Sequence, residues 1–159
     1  MTQPLEEQEH YEAGPKGIGG WLLLPTIYLF ISVLISFGYL IFTLIFINSS
    51  EWKQLLTSPE VHPYFKEAIY FEMACNGLLL LFTIYLIVLL FKKKRIFPKA
   101  IISYYLLSIV IDIVVTLLVN NVSMDNEKTS FSGSGILLSI IWIIYFRVSK
   151  RVRNTFVNE

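Results

Sequence analysis

Six polar residues stand out against the apolar background of this chain. Tyr104, Ser108, Asp112 and Thr116 are each four residues apart, and Glu72 precedes Asn76 by the same interval. A spacing of four stacks side chains on one face of a helix. Asp112 is the single charge between Ala100 and Met124. A carboxylate at the centre of a membrane helix costs about 2.5–3.5 kcal/mol on insertion scales, so it marks a ligand or proton site by default. The plainer alternative is polar glue between helices, because small and polar residues are common at membrane helix contacts. No Lys or Arg lies in any apolar stretch to neutralise Asp112. Two arrangements follow: a neutral Asp112 hydrogen-bonded to Asn76 or to hydroxyls of the first helix, or a water-filled pocket open to the outer side.

Other chemistries are excluded by residue count or spacing. His62 precedes Pro63 in a loop, and the second histidine, His10, falls in a different segment, so a convergent metal-ligand set is not expected. The single cysteine, Cys75, cannot form an internal disulfide and rules out a two-cysteine oxidoreductase. Ser132-Gly133-Ser134-Gly135 falls short of a Gly-x-Ser-x-Gly nucleophile motif, and no apolar stretch contains a histidine base. Gly17-Ile18-Gly19-Gly20 lacks the spacing and the preceding strand of a phosphate cradle, and reads as a turn leading to Trp21 at headgroup level. No catalytic, cofactor-binding or metal-binding residue is assigned, and an enzyme is not expected.

The elements that must position these residues are apolar helices. Hydrophobic residues make up 55% of the chain and charged residues 16%, with mean hydropathy +0.61. Charges are absent from 17 to 50, 73 to 91 and 129 to 146. A helix needs ~20 residues to cross ~30 Å of hydrocarbon. The expectation is an all-α polytopic membrane protein with four transmembrane helices in two hairpins, spanning about 25–47, 69–91, 100–119 and 133–146. Residues 1–16 form a flexible acidic tail, 17–159 a single transmembrane domain, and 147–159 a basic C-terminal tail. The first apolar run is too long, and its leading residues too acidic, for a cleaved signal peptide. Tyr28, Ser32, Ser36, Tyr39 and Thr43 share one face of the first helix and should meet the other helices, with Gly38 allowing close approach. Glu51 to Leu56 suits a short interfacial helix, and Thr57-Ser58-Pro59-Glu60 has the pattern of a helix start. Counting 1.5 Å per residue from the ends of the 92–99 link, Asp112 lies ~18 Å deep, Asn76 ~23 Å, Thr116 ~24 Å and Glu72 ~28 Å. Glu72, Asn76, Asp112, Ser108, Thr116, Ser36 and Tyr39 form the candidate polar site.

The link Lys92-Lys93-Lys94-Arg95-Ile96-Phe97-Pro98-Lys99 sets the orientation. With it inside, ten Lys and Arg residues lie on the inner side against three, Lys53, Lys66 and Lys128, outside. Basic residues resist translocation, so both termini are expected in the cytoplasm, with loops of about 48–67 and 120–132 outside. Lys92, Lys93, Lys94, Arg95, Lys99, Arg147, Lys150, Arg151 and Arg153 form a candidate face for anionic lipid headgroups or a partner. Helix ends and headgroups account for this basic run, so nucleic acid is not expected. Val148, Val152 and Phe156 recur every four residues, the pattern of an amphipathic extension lying on lipid. The loop 120–132 is polar and expected to be mobile.

Several of these segments together resemble the YdgK-like family of small bacterial inner-membrane proteins, a domain of unknown function. The matching residues are Gly17-Ile18-Gly19-Gly20-Trp21-Leu22, His62-Pro63, Phe71-Glu72, Asn76 and the 92–99 link. At the end they are Trp142, Tyr145-Phe146, Ser149-Lys150-Arg151-Val152-Arg153 and Thr155-Phe156. The chain departs from the family at Ile144, where proline is associated with it. The resemblance implies four helices and a bacterial inner membrane, and carries no activity with it. The leading functional expectation is a non-enzymatic accessory, sensory or assembly partner, which could also form a homo-oligomer. The alternative is a small transporter or ligand-binding protein with an outward-opening pocket around Asp112.

Overall fold

A computed structural model describes residues 17–59, 61–122 and 133–158. Among the described residues, six α-helices follow a 3-10 turn at Gly20–Leu22: α1 Leu23–Ile47, α2 Ser50–Thr57, α3 Phe65–Phe91, α4 Phe97–Val122, α5 Gly133–Val148 and α6 Lys150–Thr155. The described residues are all-α. The segments carrying α1, α3 and α4 are long and apolar enough to cross a membrane, and α5 is a shorter apolar helix of 16 residues. At 1.5 Å per residue, α1, α3 and α4 each reach ~38–40 Å, more than the ~30 Å of a hydrocarbon core.

The extensive packing is between consecutive long helices, α1 on α3, α3 on α4 and α4 on α5. Outward faces are apolar and open: Leu34, Ile35, Phe42, Leu81 and Leu137 are all more than 60% exposed. Such faces fit a membrane protein whose solvent is lipid, where helices associate by packing and hydrogen bonds. On α1 the hydroxyl-bearing face turns inward. Thr43 is buried, Tyr39 bonds to α3, and Tyr28 reaches a cleft shared with α3, α4 and α5. Gly38 does not bring helices together, because a Cβ placed there meets open space. The contacts on this face come from hydroxyl-bearing side chains instead.

The buried core is concentrated at the end of the molecule that carries the basic link. Leu22, Leu29, Leu86, Leu90, Phe97, Ile101 and Val152 form its solvent-free centre. Phe97 stacks on Phe156 with ring centroids 4.4 Å apart and meets Phe146 edge-on at 5.8 Å. The C-terminal segment does not extend α5 along a lipid surface. Ser149 adopts extended dihedrals and its hydroxyl accepts the Val152 N–H at 3.4 Å, so the chain turns and begins α6 anew. Val152 and Phe156 then enter the core, leaving Val148 exposed. The periodicity was real, but protein rather than lipid receives two of its three residues.

One further detail differs from expectation. Thr57-Ser58-Pro59 does not start a helix. The helix ends there, Ser58 turns extended, and α3 begins only at Phe65. The short helix itself is α2, capped by the Ser49 hydroxyl accepting the Trp52 N–H at 3.1 Å. Trp52 is buried between Phe46 and Phe65, which ties α2 to the far ends of α1 and α3. The expected acidic tail, 1–16, and nearly all of the 120–132 loop lie outside the described residues.

Candidate functional site

The four apolar helices leave between them a cleft of about 370 Å³ that runs from the level of Tyr28 and Tyr104 to that of Glu72. Helix α3 contributes Glu72, Cys75, Asn76 and Leu79; α4 contributes Tyr104, Ser108, Asp112 and Val115 among others. Tyr28 of α1 lies at one extremity, and Gly135, Ile136 and Ser139 of α5 line the opposite wall. Of the candidate polar residues, Glu72, Asn76, Ser108 and Asp112 are thus brought together. Thr116 is buried outside this lining, and Ser36 is half-buried and also outside it. Tyr39 joins indirectly, because its hydroxyl donates to Glu72 Oε1 at 2.6 Å.

Asn76 and Asp112 stand level in the fold. Asn76 lies fifteen residues before Phe91 and Asp112 fifteen after Phe97, which places both ~22 Å from the basic ends of their helices. The count from sequence put Asn76 about one turn further out, because it started α4 at Ala100. Helix α4 instead begins at Phe97, with Pro98 in its first turn, where a missing N–H costs no hydrogen bond.

The polar groups of the cleft differ in how well they are satisfied. The Ser108 hydroxyl donates to the Tyr105 carbonyl at 2.9 Å and so is held by its own helix. Among the described residues, Asp112 receives no hydrogen bond or ion pair. Asn76 Oδ1 is buried without a partner, as is the hydroxyl of Tyr105, which neighbours the lining residue Tyr104. A buried acceptor left unpaired costs about 1–3 kcal/mol, which folded proteins accept at few positions. Among the described residues, no Lys, Arg or His side chain lines the cleft. His62 lies elsewhere, exposed, with Nδ1 accepting the Tyr64 N–H at 3.3 Å.

The residues of the basic face converge at the opposite end. Asn158 spans the link: its N–H donates to the Lys93 carbonyl at 3.2 Å, its carbonyl accepts the Arg95 N–H at 2.7 Å, and Nδ2 donates to the Lys92 carbonyl at 2.9 Å. The Thr155 hydroxyl accepts the Gly17 N–H at 3.0 Å and donates to the Arg151 carbonyl at 2.7 Å. Gly20 sits at φ +54°, and a Cβ there would lie 2.7 Å from the Arg151 guanidinium. Lys93 also takes a positive φ, +49°, at the tight close of α3. Lys92, Arg95, Lys99, Arg147, Lys150 and Arg153 are exposed, whereas Arg151 is half-buried against the glycines.

Three segments distant in sequence therefore meet here: the glycine turn, the link and the last ten residues described. The family described as "Protein of unknown function (DUF2569)" matches residues 15–157, a range that opens just before the first of these segments and closes within the last. The chain belongs to this family. No curated protein and no solved structure matches it. In this DUF2569 member the range takes in the cleft and the tied basic end alike. Sequence reasoning missed Cys75, Gly135 and Ser139 as cleft residues. Gly135 and Ser139 are four apart on α5, a small-residue stripe that marks a helix face meeting others, and that signal was available. Tyr105 carried no such signal, because it neighbours the i, i+4 stripe without belonging to it.

Proposed function

We propose that the protein is a four-span, non-enzymatic inner-membrane protein of bacteria that holds a small solute in a cleft opening to the outer side. The observation that carries this reading is the gathering of Glu72, Asn76 and Asp112, from two helices, around one cavity closed by α1 and α5. A cavity with a few convergent polar groups among apolar walls is the usual form of a small-molecule site. A fourth crossing is supported by α5, which reaches from the cleft at Gly135 to the basic core at Phe146, beside α4 over most of its depth. The ten-to-three distribution of Lys and Arg supports cytoplasmic termini. The finer placement within the family, beside the YdgK-like proteins, belongs to this reading, as does the inner membrane it implies.

Cys75 supplies the test, being the sole cysteine and part of the cleft wall. In intact cells, a membrane-impermeant thiol reagent added outside should label Cys75. The same reagent should leave Lys99→Cys unlabelled in a Cys75→Ser background. Labelling of the Lys99→Cys protein from outside would reverse the topology. A Cys75 that reacts only after permeabilisation would overturn the outward opening.

An accessory or assembly role is the second reading, favoured by the tied basic end, which presents exposed Lys92, Arg95, Lys99 and Arg153 on a fixed scaffold. It expects a stable partner or homo-oligomer on purification in mild detergent, whose association weakens when these four are changed to Gln. Anionic headgroups on the same side are the other expected contact.

A further inference from the structure

Among the described residues, the charged groups on the walls of the cleft are two carboxylates, Glu72 and Asp112, set between aliphatic side chains such as Leu79, Ile109 and Val115. Glu72 is already engaged at Oε1 by the Tyr39 hydroxyl, and Asp112 has no protein donor among the described residues. Beside them Asn76 carries a buried carbonyl oxygen with no donor. What Asp112 and Asn76 Oδ1 lack among the described residues is a donor, and what the two carboxylates lack is a positive charge. Chloride, phosphate or a carboxylate ligand would face two like charges in a low-dielectric setting, where repulsion is strongest. The lower end of the cleft adds the rings of Tyr28 and Tyr104, which attract cations through their faces.

We infer that the cleft binds a small organic cation bearing N–H donors, of the primary alkylammonium class, with Asp112 as its principal counter-charge and Asn76 and Glu72 as further acceptors. This rests on the outward-opening cleft proposed above and names what the cleft takes. The volume, about 370 Å³, suits a ligand of small-molecule size. Inorganic cations share the charge but not the donor geometry. A quaternary ammonium shares charge and size but has no N–H to offer Asn76.

The experiment uses the whole protein reconstituted in phosphatidylcholine vesicles, with Cys75 as reporter. Its modification rates are measured with a trimethylammonium-bearing and a sulfonate-bearing methanethiosulfonate, each normalised to its rate with a free thiol in solution. The cationic reagent should react at least tenfold faster after normalisation. Butylammonium chloride should slow the modification several-fold more than sodium chloride or tetramethylammonium chloride at equal ionic strength. Asp112→Asn should bring the normalised ratio close to one, and Glu72→Gln, which keeps an acceptor for Tyr39, should lower it less. A wild-type ratio near one overturns the inference while leaving an open cleft intact. Equal protection by tetramethylammonium overturns the N–H requirement. A Cys75 unreactive toward both reagents overturns the cleft itself and this inference with it. The wild-type rates and protection do not depend on whether either variant folds.

Discussion

At the basic end, Phe97 stacks on Phe156, meets Phe146 edge-on and has no exposed surface; ~22 Å along the same helix, Asp112 borders a cavity and meets no donor among the described residues. One end of α4 is closed by segments far apart in sequence, each tied by backbone hydrogen bonds or ring contacts. Further along the helix the cleft is bordered by polar groups that the protein leaves partly unsatisfied. The difference teaches where stability and binding reside. Packing and hydrogen bonds hold the basic end together, so the helices can diverge from it and keep a hollow between them. Stored polar mismatch at the far end is what a ligand would relieve, as strained or unsatisfied groups in folded proteins often mark function.

Substitutions at the two ends should therefore differ in kind. The largest effect is expected from Phe97→Ala, at about 3–5 kcal/mol for removing a fully buried aromatic ring, seen as a drop in thermal unfolding temperature in detergent. Gly20→Ala should cost about 1–2 kcal/mol, because its positive φ disfavours any Cβ even when the Arg151 guanidinium swings aside. If this variant melts like wild type, the glycine turn is not held as described. Tyr39→Phe removes one hydrogen bond between α1 and α3. A loss of about 0.6 kcal/mol, the average for membrane side-chain hydrogen bonds, is expected in a double-mutant cycle with Glu72→Ala, which removes the acceptor. Asp112→Asn should leave the melting temperature unchanged or raise it, because no protein donor is lost and a carboxylate is removed from the cleft. A substantial fall there would mean that Asp112 belongs to the scaffold, and the contrast between the ends would collapse.

Much of the helical layout was legible because its signals are local. Long uncharged runs have few alternatives, and their ends fall within a few residues of the helices, as with 25–47 against Leu23–Ile47. The i, i+4 stripe on α4 pointed to Ser108 and Asp112, and the spacing of Glu72 and Asn76 to their shared face. What stayed hidden was set by long-range contact. Nothing local distinguishes Val152 and Phe156 of an amphipathic tail on lipid from the same residues folded into a core. Their burial depends on Phe97 and Leu22, which arrive from other segments. Depth suffered similarly: a three-residue difference in where α4 begins moved Asp112 from below Asn76 to beside it. Gly38 misled because small residues permit close approach without requiring it.

The contact between Gly17 and Thr155 spans 138 positions. Its consequence concerns the order of assembly. Helices α1 to α5 are all made before α6 leaves the ribosome, but the end that joins them cannot close until it does. A chain stopped short of Val152 would own α1 to α5 while Leu22 and Phe97 lacked their covering residues. Closure thus follows the synthesis of α1 to α5, and a copy without α6 differs from one that has it on the face that the basic link occupies.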